Sequence, residues 1–219
     1  MERVLAGVSA DTFKSLQLGP GAIIRNFKYE EVKTPQEFKD AFLDAIRNGQ
    51  SLGGTQGGIN VNVTPTYRKI EIDGANVPFK GDKVIDEWTC YMEATLKEFT
   101  PRIMEAAFPT SEFAEIGTAV APATETGIVA QRIRTAVGDN DYNTNDCWIA
   151  TTQYGYIMVA MFNTLGGTTG AITAADRAEG NIPFRVDGHI EDFEDIDYAP
   201  CELWYVSMVD GIIKVPVGA

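Results

Sequence analysis

The chain has 219 residues, of which 31 are acidic and 18 are basic, so its formal net charge is −13. This charge argues against a protein that binds duplex nucleic acid or anionic membranes, because both depend on clustered Lys and Arg. Hydrophobic residues make up 44% of the chain and aromatic residues 10%, which argues against disorder. The acids are concentrated late in the chain, where residues 110–219 hold 16 acids and five bases.

Several familiar classes of site lack the residues they need. No apolar run approaches the roughly 18 residues of a membrane span, so we expect no membrane partner. Cys90, Cys147 and Cys201 are far apart and form no CxxC pair, which predicts neither a disulfide framework nor a cysteine zinc site. His189 is the single histidine, so sites that need several histidines are excluded.

In chain order, the first predicted elements are an arm, a strand and a helix. Residues 1–20 are predicted as an N-terminal arm, followed by a strand over Ala22–Phe27. Thr34 and Glu37 have the spacing of a capping box, with proline at the first helical position. This pattern predicts an amphipathic helix over Pro35–Asn48 that lies on an apolar surface.

The strongest strand signal lies between Val84 and Phe99. Apolar residues occupy the even positions from Trp88 to Leu96, and mostly polar residues occupy the odd positions between them. A strand of this length spans about 50 Å, well beyond the usual five or six residues. We therefore expect it to project past a compact core or to belong to a larger sheet.

Weaker signals surround this strand. Before it, Gln50–Gly58 is predicted as a glycine-rich mobile loop; after it, a helix is predicted from Thr100-Pro101 through Phe108. Loops are also predicted over Thr110–Thr126 and Leu165–Gly170. The other predicted strands are Ile59–Val63, Tyr67–Ile72, Gly127–Ala136, Asp146–Thr152, Gly155–Asn163 and a closing pair formed by Ile182–Ile190 and Cys201–Val209. The fold class predicted over residues 21–219 is a single mainly β domain, an antiparallel sandwich or half-barrel with one or two short flanking helices.

The sequence contains no recognisable catalytic constellation. Gly53–Gly58 lacks the Lys-Ser/Thr of a phosphate loop and is interpreted as a turn. Asp139–Asp146 begins like a calcium loop, but Thr144 and Ala150 stand where glycine and glutamate are required. Glu191–Asp197 is interpreted as a solvated acidic bend. We therefore expect no enzymatic activity, cofactor or metal, and ion binding by either acidic run stays an open question.

Several blocks of sequence resemble the tail tube (major tail) proteins of long-tailed bacteriophages. The resemblance is carried by Gly57–Pro65, Arg68–Gly74, Lys80–Pro101, Ile182–His189 and the Pro-x-Glu-x-Trp run at Pro200–Trp204. It implies a tail-tube-like structural virion protein, assembled in the bacterial cytoplasm, whose hexameric rings stack into a tube around an inner β-barrel. Genomic DNA and a tape-measure protein would pass through this lumen without specific binding, and other tail proteins would join the ends of the tube.

The resemblance also assigns residues to surfaces. The long strand would line the lumen, with Glu87, Thr89, Glu93 and Thr95 facing inward. An acidic wall would repel DNA, because cationic contacts to phosphate strengthen binding of any sequence. The arm at residues 1–20 would clasp a neighbouring subunit. The candidates for contacts between rings or subunits are Gly54, Gln56, Gly74, Asn76 and Lys80.

Two alternatives come from other functional classes. The first is a soluble β-sandwich module that binds carbohydrate through stacking rings at Trp148, Tyr154, Tyr156 or Trp204, although rings within alternating strands usually belong to the core. The second and weaker alternative is a hydrolase built on the acidic bend beside His189. Rings or tubes in negative-stain images would favour the tail protein, whereas uniform monomers would favour a module.

Overall fold

The structure is a computed structural model that describes residues 16–71, 73, 77, 79–108, 110–114, 130–166, 171–173, 179–191 and 198–209. Its strands are β1 (Gln17–Ile24), β2 (Thr55–Lys69), β3 (Lys83–Leu96), β4 (Ser111–Ala114), β5 (Ala130–Ile133), β6 (Asp146–Thr152), β7 (Gly155–Met161), β8 (Asn163–Gly166), β9 (Ile182–His189) and β10 (Cys201–Ser207). Its helices are α1 (Pro35–Arg47) and α2 (Pro101–Ala107). The fold is mainly β and antiparallel with two short helices, which confirms the predicted fold class.

The strands form two four-stranded sheets and one small pair. Sheet 1 has the order β1-β6-β7-β10, sheet 2 has the order β2-β3-β9-β8, and β4 pairs with β5. The predicted pairing of the last two strands was wrong, since β9 pairs with β3 and β8 whereas β10 pairs with β7. Alternation assigns a strand to a sheet face but does not identify its neighbour, so the pattern could not reveal that these two strands belong to different sheets.

Two apolar clusters hold the layers together. The first lies between the two sheets and includes Ile23 and Met161 of sheet 1, Met92 and Phe184 of sheet 2, and Ile103 of α2. The second lies on the other face of sheet 1, against α1. The layers therefore follow the order α1, sheet 1, sheet 2, and the second face of sheet 2 points away from the core.

Helix α1 forms as its sequence predicts. The Thr34 hydroxyl accepts from the Glu37 backbone N–H, and the Glu37 carboxylate accepts from the Thr34 backbone N–H, which completes the capping box. Phe38 and Phe42 are buried against sheet 1, and each fully buried phenylalanine contributes about 1.5–3 kcal/mol. Among the described residues, neither helix is long and apolar enough to cross a lipid bilayer.

Strand β2 is longer than predicted. The two predicted segments form one 15-residue strand that begins at Thr55, inside the stretch interpreted as a mobile loop. A register shift lies between Gln56 and Ile59, and the two glycines in it, Gly57 and Gly58, have φ values of +81° and +89°. Glycine adopts this conformation without steric penalty, so the glycine pair makes a bulge inside the strand.

Strand β3 is one unbroken 14-residue element, as its alternation predicts. It pairs with β2 along its whole length, which makes a hairpin about 46–50 Å long at about 3.3 Å per residue. Only its second half, Tyr91–Leu96, also pairs with β9. The hairpin therefore extends well past the core, as the strand length predicts.

The remaining boundaries differ in detail. β1 begins at Gln17, so the last residues assigned to the arm belong to sheet 1, while residues 1–15 lie outside the described residues. β8 occupies part of the stretch predicted as a loop from Leu165, and β4 begins the stretch predicted as a loop from Thr110. Strand β6 has its predicted limits, and β7 ends two residues early.

Candidate functional site

The outward surface of sheet 2 is polar and is the candidate functional surface; we call it the open face. Cross-strand register places side chains from three strands on it, all half-exposed or exposed. Its members are Gln56, Asn60, Asn62, Thr64 and Thr66 of β2, Glu87, Thr89, Tyr91, Glu93 and Thr95 of β3, and Pro183, Arg185 and Asp187 of β9. The structure thus brings together the four residues predicted to face a lumen, while the even positions of β3 lie in the core.

The open face carries three acids and one base. Glu93 accepts a hydrogen bond from Asn60 Nδ2 at 2.7 Å. The base, Arg185, donates to Asp187 Oδ1 from Nε at 3.1 Å and from Nη2 at 2.7 Å. The hydrogen bond to Asp187 raises the pKa of Arg185, so the guanidinium keeps its charge next to a matching carboxylate. The net charge of this surface is therefore negative.

The β2–β3 hairpin leaves long strand edges free. β2 is the outermost strand of sheet 2, and no described strand pairs with its outer edge. No described strand pairs with the second edge of β3 from Lys83 to Cys90 either, because β9 begins its pairing at Tyr91. A groove of about 570 Å³ lies beside this edge, lined by residues 85–88 and 188–190 with Tyr198 and Pro200. Free edges of this length favour pairing with another chain.

The distal part of the hairpin exposes apolar side chains. Tyr67 and Ile85 face each other across the hairpin, and Val84 lies opposite Arg68. We call the exposed apolar set the distal cluster: Tyr67, Ile70, Val77, Phe79, Val84 and Ile85, each at least 41% exposed. A concentration of exposed apolar side chains marks a contact surface more often than scattered single residues do.

The candidates for contacts between rings are placed as follows. Gly54 uses its own backbone within the chain, since its N–H donates to Glu98 Oε1 at 2.8 Å and its carbonyl accepts from Lys97 N–H. Gln56 is exposed at the core end of β2, and Lys80 is exposed in the loop at the other end of the hairpin. Gly74 and Asn76 lie outside the described residues.

The run Asp139–Asp146 does not converge on one point. Asp141 pairs with Arg134, whereas the buried Asp146 accepts a hydrogen bond from Thr164 Oγ1 at 2.6 Å. Residues 139–141 form a single 3-10 turn. Within the described ranges, no three His, Cys, Asp or Glu side chains are grouped so that they could hold a metal ion.

The acidic bend lies mostly outside the described residues, which include Glu191 but not 192–197. His189, at its start, is exposed and meets the ring of Tyr142 edge-on, with the ring centroids 5.3 Å apart. This contact positions the imidazole on an aromatic edge.

Three of the four aromatic rings considered for carbohydrate binding are engaged inside the fold. Tyr156 packs on Phe38 and Phe42, and Trp204 meets Tyr29 edge-on at 5.3 Å. Trp148 packs against the cluster between the sheets and donates from Nε1 to the Pro20 carbonyl at 3.0 Å. Stacking on a sugar needs a free ring face, so these three rings do not form a platform.

Sequence reasoning missed two features that the fold creates. Arg185 and Asp187 are two residues apart on β9, so alternation places them on one face, and that spacing was a usable signal. Cys90 and Cys201 are 111 residues apart but meet with their Sγ atoms at 3.4 Å, and no local pattern reveals such a contact. No protein-family model matches the sequence, and a search of curated proteins found no match either.

Proposed function

We propose that the protein is a structural virion protein, the tail tube subunit of a long-tailed bacteriophage, which polymerises as stacked hexameric rings. In this proposal the tube forms in the bacterial cytoplasm and joins other tail proteins at its ends. Genomic DNA and the tape-measure protein pass through its lumen without specific binding, and the role is not enzymatic. The observation that carries the proposal is the β2–β3 hairpin with its free edges.

The free edges supply the reason to assemble. Unpaired strand edges favour aggregation unless they are covered, and pairing with neighbouring copies in a closed ring removes them. Sheet 2 has four strands. Six copies joined edge to edge would exceed the roughly 16 strands at which a closed barrel leaves a water-filled channel. The geometry of one subunit is thus compatible with a conduit.

The distal cluster supplies a contact surface for the same assembly. It lies on the part of the hairpin that extends beyond β9, where Tyr67 is 56% exposed and Ile85 is 44% exposed. Burial against a neighbouring subunit would remove this apolar area from water, at about 25 cal/mol per Å². Assembly therefore offsets the exposure that the long hairpin creates.

The open face supplies a suitable lining. Its acids Glu87, Glu93 and Asp187 outnumber its single base, Arg185, which Asp187 binds. Nonspecific affinity for DNA rests on cationic contacts to phosphate. A channel lined by six copies of this surface would let DNA slide.

A matched pair of isoleucine variants tests the proposal. Ile85 in the distal cluster is 44% exposed, and Ile46 on α1 is 43% exposed. Negative-stain images of the full-length wild-type protein should show rings or tubes of uniform diameter. Ile85→Lys should prevent or shorten these assemblies, whereas Ile46→Lys should leave them unchanged. Wild-type protein that stays a uniform monomer at high concentration would contradict the proposal.

A further inference from the structure

Two cysteines from different sheets meet in the interior. Cys90 lies on the inner face of β3 in sheet 2 and is 3% exposed, and Cys201 begins β10 in sheet 1. Their Sγ atoms are 3.4 Å apart, and both thiols are free. A disulfide requires about 2.05 Å between the sulfurs, so the approach still needed is small.

The two thiols are not equivalent. When the Cys90 S–H donates to Cys201, this hydrogen bond lowers the pKa of Cys201. The same hydrogen bond and burial raise the pKa of Cys90. Cys201 therefore loses its proton first, and the thiolate is the nucleophilic form of cysteine.

Cys201 is also the thiol that a small reagent can reach. It lines a cavity of about 470 Å³, together with Glu30, Asn145, Phe162 and Tyr198. One water molecule occupies about 30 Å³, so the cavity admits an oxidant as small as a peroxide. Cys90 is not part of this lining and lies behind Cys201 in the core.

We propose that Cys90 and Cys201 are an oxidisable pair that closes a disulfide between the two sheets when the protein meets a peroxide. The Cys201 thiolate attacks one oxygen of hydrogen peroxide, the O–O bond breaks, and the departing hydroxide takes a proton to become water. The sulfur of Cys90 then attacks the Cys201 sulfenic acid, forms the S–S bond and expels the second oxygen as water with the Cys90 proton. Two thiols are oxidised and one peroxide is reduced to two waters.

The bond would tie the root of the β2–β3 hairpin to sheet 1. It closes a loop of 111 residues, and cross-linking a loop of this size restricts the unfolded chain strongly. The expected result is a rise of about 10 °C in the melting temperature. This inference does not rest on the proposed function, so either can fail while the other holds.

The test uses the reduced full-length protein treated with hydrogen peroxide under native conditions. Intact mass should fall by two hydrogen atoms, and a nonreducing peptide map should contain Cys90 joined to Cys201. Cys147→Ser serves as the matched control, because this third cysteine is buried and should leave the disulfide unchanged. In Cys90→Ser the mass should instead rise by the oxygen atoms of a sulfenic or sulfinic acid at Cys201.

Two results would overturn the inference, and both are read on wild-type protein, so neither depends on a variant that folds. The first is oxidised Cys201 that accumulates while Cys90 stays reactive toward an alkylating reagent after denaturation. The second is a peptide map in which neither cysteine changes at peroxide levels that oxidise exposed methionines. A melting temperature that does not rise despite a mapped Cys90–Cys201 bond would overturn the stabilising role.

Discussion

Glu93 and Arg185 lie directly opposite each other on β3 and β9, and each has its own polar partner. Glu93 accepts from Asn60, while Arg185 donates two hydrogen bonds to Asp187. The guanidinium carbon of Arg185 also lies 4.0 Å from the centroid of the Tyr91 ring. The one base of the open face is thus neutralised by a carboxylate and covered on one side by a ring.

Removing the carboxylate next to Arg185 should make the open face bind DNA. Asp187→Asn leaves the guanidinium without its counter-charge, so we expect tubes of this variant to retain duplex DNA that wild-type tubes release. The gain should be a few-fold, and it should fall as salt rises, with about one unit of slope in log affinity against log salt per phosphate contact. Asp44→Asn is the control, because Asp44 neutralises Arg47 on α1, far from the open face. Equal DNA retention by both variants would contradict the role of Asp187.

Reversing the acids of the open face should have a larger effect. The double variant Glu87→Lys, Glu93→Lys adds two cations per subunit, so we expect it to slow genome ejection or block infection without preventing tube assembly. Glu31→Lys, Asp40→Lys makes the same charge change on exposed residues outside the open face and should eject at the wild-type rate. Wild-type ejection kinetics in the Glu87, Glu93 variant would count against an acidic lumen.

The buried acid Asp146 should matter more for stability than any exposed acid. Its carboxylate accepts from Thr164 Oγ1 and Asn26 N–H and lies 3.7 Å from Arg25 Nε, in a site where both charged side chains are buried. Asp146→Ala leaves Arg25 buried without its counter-charge, so we expect a loss of about 3–5 kcal/mol in the free energy of unfolding. Urea denaturation measures this loss.

An exposed ion pair provides the comparison. Arg47 and Asp44 are closer, at 2.9 Å, but both side chains are more than 60% exposed. Asp44→Ala should therefore change the free energy of unfolding by less than about 1 kcal/mol. Similar losses in the two alanine variants would show that burial does not set the contribution of the Asp146 site.

The capping box of α1 should make part of the stability depend on pH. The backbone N–H groups of Lys33 and Thr34 donate to Glu37, and these hydrogen bonds lower the pKa of Glu37. Because the folded pKa lies below the unfolded value of about 4.3, the stabilisation is present above that pH and is lost as the pH falls through the folded pKa. Glu37→Gln keeps the hydrogen-bonding shape without the charge. Its melting temperature should be lower than wild type at pH 7 and equal to wild type in strong acid; an unchanged gap at both values would contradict this reading.

Local signals in the sequence were enough for the elements they govern. The Thr34–Glu37 spacing predicts α1, and the alternation from Trp88 to Leu96 predicts both the length of β3 and its two faces. These features depend on neighbours a few residues apart, where periodicity and capping chemistry act. The set Glu87, Thr89, Glu93 and Thr95 could be grouped on one face for the same reason.

Contacts between distant segments could not be predicted in this way. The partners of β9 and β10, the meeting of Cys90 with Cys201, and the burial of Asp146 depend on the register between strands far apart in the chain. The glycines at 57 and 58 were interpreted as a loop because glycine serves turns and bulges equally well. Only the pairing of β2 with β3 distinguishes these two uses.

A cryo-EM reconstruction of assemblies formed by the full-length protein tests the central claim most directly. We predict stacked rings in which the outer edge of β2 pairs with a neighbouring copy and the open face, with Glu87 and Glu93, lines the channel. A reconstruction in which the open face lies on the outside, or in which the β2–β3 hairpin contacts no other subunit, would contradict it.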